Sequence, residues 1–156
     1  MRKGIAIILF FFGINAYSSD EVSLTLVGYI PEKCSFTAES NDLTLSNNGL
    51  ANTDLVIDCN SPMRVSMQSV NGGLRHQQST QINDYRVALT IADANYSMSV
   101  LAHQLKSIKM FNVNDILFKS IAKLQVKLVD PLIYAGNYQD VIRIEMTPSA
   151  ISGGVW

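Results

Sequence analysis

Two cysteines, two histidines and a scatter of carboxylates are the side chains of this sequence best suited to chemistry, and their spacing limits what they can do. His76 and His103 fall in different predicted elements, and neither has a cysteine or acidic residue at metal-ligand spacing, so no zinc site is expected. Gly72-Gly73 follows a predicted strand but lacks the later glycine and the helix that a dinucleotide site needs. Asn71-Gly72-Gly73-Leu74 reads more simply as a hairpin turn. There is no Gly-x-Ser-x-Gly elbow and no glycine-rich phosphate loop. Asp58 and Asp140 are free to meet in a folded chain, but nothing in their spacing pairs them. The expectation is a protein that is not an enzyme and carries no cofactor and no metal.

That leaves Cys34 and Cys59, and their meaning depends on the compartment. Arg2 and Lys3 form a short positive region, and Ile5 to Ile14 is an uncharged apolar run. Ala16 and Ser18 place small residues at −3 and −1 of a cut after Ser18, which is signal-peptide anatomy over residues 1–18. A cut after Ala16 fits nearly as well. An apolar helix of about ten residues at ~1.5 Å each is too short for a ~30 Å hydrocarbon core, so the run is not read as an anchor. The mature chain, 19–156, is then exported and does not span a membrane. An even cysteine count in an oxidising compartment predicts a Cys34–Cys59 disulfide. Closing a loop of about 26 residues is worth ~3.5 kcal/mol in the chain-entropy picture.

The length of 156 residues fits a leader and one domain. At 47% hydrophobic and 16% charged the chain is not intrinsically disordered. Loss of Arg2 and Lys3 with the leader lowers the 12 basic residues to 10 against 13 acidic, a net −3. That balance offers no basic field for a nucleic-acid backbone.

The elements that position these residues repeat with a period of two. Val22, Leu24, Leu26 and Ile30 alternate with Ser23, Thr25 and Tyr29. Leu55, Ile57 and Cys59 alternate with Val56, Asp58 and Asn60, and Met63, Val65 and Met67 with Arg64, Ser66 and Gln68. Tyr85, Val87, Leu89 and Ile91 form a fourth run. Leu124, Val126 and Leu128 form a fifth, and Ile142, Ile144 and Met146 a sixth. Each run predicts a half-buried strand. Asn47-Asn48-Gly49, Asn71-Gly72-Gly73 and Ala135-Gly136-Asn137 supply turn chemistry between them. Many short strands with such punctuation point to an all-β sandwich or barrel, and the expected fold is a two-layer antiparallel sandwich. Leu55, Ile57, Val87, Leu89, Leu124 and Val126 should lie in its core, with Arg86, Lys123 and Lys127 in solvent. Residues 95–120 accommodate either a short helix or a broken strand.

The stretch Ala135-Gly136-Asn137-Tyr138-Gln139-Asp140, followed by alternating apolar residues, resembles the closing motif of pilin subunits of the chaperone–usher pathway. It is most similar to the archaic type, which shares the spore coat protein U domain. The front half agrees. An alternating strand leads into Cys34, Leu43-Thr44-Leu45 follows, and a strand ending at Cys59-Asn60 precedes Pro62 and a third strand.

The resemblance implies an incomplete immunoglobulin-like sandwich that lacks its last strand and so carries a groove in its core. A periplasmic chaperone fills the groove first. The N-terminal segment of another pilin subunit replaces it at the outer-membrane usher, by β-augmentation. The protein would then be a structural subunit of a cell-surface fimbria. Within 19–30 the donor strand would present Val22, Leu24 and Leu26, with Gly28 where no side chain need fit. Ile142, Ile144 and Met146 would line part of the acceptor groove. The same alternation also suits an intrinsic first strand at Val22–Ile30. The tail, Ser149 to Trp156, reads as a free end or as a segment reaching the subunit's own groove. A self-complete secreted β-sandwich that binds a ligand or coats the cell is the competing function.

Overall fold

The computed structural model describes residues 21–149. The expected leader, its cleavage after Ser18 and the tail from residue 150 lie outside the described residues. The described chain divides into two units at Ile30. Residues 21–30 take no regular secondary structure. Val22, Leu24 and Leu26 are 81%, 91% and 98% exposed. The strand expected at Val22–Ile30 is therefore not formed. Alternation makes a strand only where a neighbour supplies backbone partners, and among the described residues these pair with none.

From Pro31 onward the chain is a nearly all-β body. Its own first strand is β1 (Cys34–Ala38), followed by β2 (Leu50–Cys59), β3 (Met63–Ser69), β4 (Leu74–His76) and β5 (Ile82–Asn83). Then come β6 (Tyr85–Ile91), β7 (Tyr96–Leu101), β8 (Lys109–Val113), β9 (Leu117–Leu128), β10 (Tyr138–Gln139) and β11 (Ile142–Pro148). Three antiparallel sheets result, ordered β1-β2-β9-β6-β7, β11-β3-β8 and β10-β4-β5. The first two carry the core as facing layers.

Burial follows the period of two. In β2 the inward side chains are Ala51, Thr53, Leu55, Ile57 and Cys59, and in β6 they are Tyr85, Val87, Leu89 and Ile91. Leu124 and Val126 of β9 join them, while Arg86, Lys123 and Lys127 point outward. The opposite layer contributes Met63, Val65 and Met67 of β3, all fully buried. The predicted core and its solvent face are both observed.

Residues 95–120 combine both expectations. After a left-handed Asn95, β7 runs into a 3-10 turn at Ala102–Lys106, and β8 then joins the other layer. Ala102 and Leu105 are fully buried, so this turn plugs the sandwich where the chain changes sheet. The Asn71-Gly72-Gly73 turn is not a hairpin. It links β3 to β4, which lie in different sheets, with both glycines at positive φ.

Candidate functional site

One side of the sandwich carries a groove. Its rims are β1, at the edge of the five-stranded sheet, and β11, at the edge of the three-stranded sheet. Among the described residues β1 pairs only with β2, and β11 only with β3. Each therefore keeps one unpaired backbone edge. Between them lies a groove of about 1250 Å³, larger than the ~300–1,000 Å³ of ordinary small-molecule pockets.

The groove reaches down to the core and is lined by buried and half-buried side chains. Leu55, Leu124 and Val126 form its floor, Phe36 stands on the β1 wall, and Ile142 and Ile144 stand on the β11 wall. Leu43 and Leu45, in the irregular crossing between β1 and β2, close it from above while half-buried against the core. Thr53 is the polar exception on the floor. It is buried, and its Oγ1 has no hydrogen-bond partner among the described residues.

Of Ile142, Ile144 and Met146, expected to line an acceptor groove, Ile142 and Ile144 lie along this groove. Met146, two residues on, packs against the core and is not part of the lining. Phe36, Leu43 and Leu45 were not anticipated as wall residues, although the Leu43-Thr44-Leu45 alternation carried the signal. Val22, Leu24 and Leu26 are exposed along a segment with no strand partner.

Cys34 and Cys59 are joined, and they are directly opposed in the β1–β2 register. The bond ties an edge strand that has only one neighbour to the interior of its sheet, and so braces one wall of the groove.

The other wall is set by Asp140, which precedes β11. Its carboxylate accepts from Tyr85 Oη at 2.6 Å, Ser69 Oγ at 2.5 Å, and the backbone N–H groups of Asn71, Gly73 and Val141 at 2.9, 3.3 and 2.8 Å. The end of β3, the turn after it, the start of β6 and the entry to β11 thus converge on one carboxylate. Burial first, then the bond to Asp140, pushes the Tyr85 phenol far above the ordinary tyrosine range. Asp58 is not involved. It lies opposite Ser35 in the β1–β2 ladder.

The rest of the closing motif is explained by His76. Tyr138 pairs with His76 in the β10–β4 ladder and packs against its ring edge-on, with centroids 4.8 Å apart. The His76 Nδ1 accepts from the Gln78 N–H, so Nε2 carries the proton and donates to the Ala135 carbonyl at 3.1 Å. Gly136 has φ +142°, and a Cβ there would meet Nε2 at 2.3 Å. His103 is elsewhere, with Nδ1 2.6 Å from Asp84 at the surface.

No family model matches the chain, and no curated protein matches it. Among solved structures it is similar to a chain of a chaperone–tip adhesin complex described as vital for activation of CFA/I fimbriae biogenesis. The TM-score is 0.51 at 18% identity, over 72% of this chain and 39% of that one. At that identity the likeness is one of fold. The body is an antiparallel β-sandwich, and the chain spans well under half the length of the chain it matches.

Proposed function

We propose that the protein is an exported structural subunit of a surface fimbria, polymerised by strand exchange. The observation that carries this reading is the groove between β1 and β11. It places half-buried apolar side chains, Phe36, Ile142 and Ile144, above a core floor and beside two unpaired backbone edges. An extended strand with alternating apolar side chains satisfies both needs at once. The chain also carries a segment with that alternation, exposed, at Val22, Leu24 and Leu26. The fold likeness to a chain of a fimbrial chaperone–adhesin complex supports the same reading.

On this account residues 1–18 direct export. A periplasmic chaperone covers the groove in transit. The N-terminal segment of a second subunit displaces it at an outer-membrane usher, and the fibre ends on the cell surface in adhesion and biofilm. The closing motif favours the archaic, spore coat protein U-like type. The apolar side chains and unpaired strand edges of the groove suit an extended segment, and on this reading the protein is not an enzyme.

The test is to move residues 19–30 to the C-terminus behind a short Asn-Gly turn. The rearranged chain should be a soluble monomer with a clearly higher melting temperature than the native chain, which alone should self-associate. A native chain that is already a stable monomer, unchanged by the move, would establish the self-complete secreted sandwich instead.

A further inference from the structure

Pro31, Glu32 and Lys33 separate the apolar segment from β1. A link of three residues spans about 10 Å at full extension, and with a free backbone it would act as a swivel. Its backbone is not free. Asn60, the residue after β2, makes three hydrogen bonds to it. The Asn60 N–H donates to the Lys33 carbonyl at 3.1 Å, Oδ1 accepts from the Lys33 N–H at 2.7 Å, and Nδ2 donates to the Pro31 carbonyl at 2.9 Å. The β1–β2 ladder is thereby continued past its last strand pair, with a side-chain amide standing in for the next backbone amide. The adjoining Cys59 holds the adjoining Cys34 through the disulfide. Pro31 stiffens the far end, because its ring fixes its own φ and excludes the helical region for Ile30.

The side chain needed for this is specific. The clamp takes one donor and one acceptor on a short stem, which asparagine has. Aspartate lacks the donor.

We infer that Asn60 is a positioning residue that removes the swivel between the body and its N-terminal segment, so that copies joined through that segment form a stiff fibre. The mechanical consequence rests on the strand-exchange reading, whereas the clamp is a property of the body.

Two measurements on the full-length exported chain test this. Amide hydrogen exchange should show Lys33 protected to the level of β1. In Asn60→Ala that protection should fall at least tenfold, while core amides of β3 and β6 keep theirs. Asn60→Asp, which retains the acceptor for Lys33 but cannot donate to Pro31, should fall in between. In electron micrographs the persistence length of Asn60→Ala fibres should drop at least twofold. A Gly-Ser insertion between Ile30 and Pro31, which leaves the body's bonds intact, should produce the same drop.

An unprotected Lys33 in the unaltered chain overturns the clamp, and an unchanged persistence length in Asn60→Ala fibres overturns its mechanical role. A chain that shows the exchange contrast but builds no fibre through residues 21–30 supports the clamp and removes the strand-exchange reading.

Discussion

Replacing Asp140 by alanine should cost the protein a large share of its stability and loosen one wall of the groove. The carboxylate accepts five hydrogen bonds, from the hydroxyls of Tyr85 and Ser69 and the N–H groups of Asn71, Gly73 and Val141. Tyr85 and Ser69 are buried at 1% and 0% exposure. Each hydroxyl left without a partner costs ~1–3 kcal/mol. Gly73 is also buried, whereas the exposed Val141 amide can turn to water. The expected loss is roughly 3–5 kcal/mol, against a total stability of ~5–15 kcal/mol for a domain. At a urea slope near 2 kcal/mol/M the midpoint should move down by roughly 2 M. Far-UV circular dichroism during urea titration reads this directly. Tyr85→Phe should lose less, because it removes one donor and leaves Asp140 four others. The two losses should fall short of adding in the double variant, since the residues share one network. An Asp140→Ala midpoint within 0.3 M of the unaltered chain would refute the idea that this carboxylate organises the groove wall, since it corresponds to under ~1 kcal/mol.

Other expectations follow from the same geometry. Tyr85 is held protonated by burial and by Asp140, so its folded pKa lies above its unfolded value near 10. The stability this adds is complete below pH 10 and is lost as pH rises toward the folded value. The slope is ~1.4 kcal/mol per pH unit, and it should vanish in Tyr85→Phe during urea titrations at alkaline pH. Cys34→Ser should cost ~2–5 kcal/mol and sharply reduce exported protein, measured by periplasmic yield. Gly136→Ala forces an unfavourable φ and a clash with His76. It should lower stability by ~1–3 kcal/mol in urea titration and expose the Gln78 amide to exchange. Leu24→Asp should leave the body folded and abolish fibres, because a charge entering an apolar groove costs several kcal/mol. Loss of the monomer as well would make the segment part of the body's own core.

The strands and core were legible because each buried run keeps its alternation over several residues, as in Tyr85 to Ile91 and Leu55 to Cys59. Burial on one sheet face writes that pattern directly into the sequence. Residues 95–120 were not, because Val100, Ala102 and Leu105 face one core from a strand and then from a 3-10 turn. The spacing changes where the chain changes layer. Val22–Ile30 alternates as well as any core strand yet stays unpaired, since periodicity reports what a segment can pair with and not whether the partner is in the same chain. The Asn71-Gly72-Gly73 turn was read as a hairpin because turn chemistry is local, while the choice of sheet after it depends on distant residues such as Asp140. That carboxylate was visible as part of the closing motif. Its five donors come from separate elements and had no signature in spacing. Two of the three predicted groove residues line the groove. Phe36, Leu43 and Leu45 complete it from an irregular stretch where periodicity offers little.

The central claim is that the groove between β1 and β11 receives the apolar N-terminal segment of another copy. The most direct measurement places a benzophenone side chain at position 24 in full-length chains, half of them labelled with a heavy isotope, and irradiates the assembled fibres. Mass spectrometry of the crosslinked peptides then identifies both the site reached and whether it lies on the same chain. The account predicts mixed light–heavy crosslinks, with position 24 joined to groove residues such as Phe36, Leu55, Leu124, Ile142 or Ile144. Crosslinks confined to one chain, or directed to the outer faces that carry Lys123 and Arg143, would contradict it.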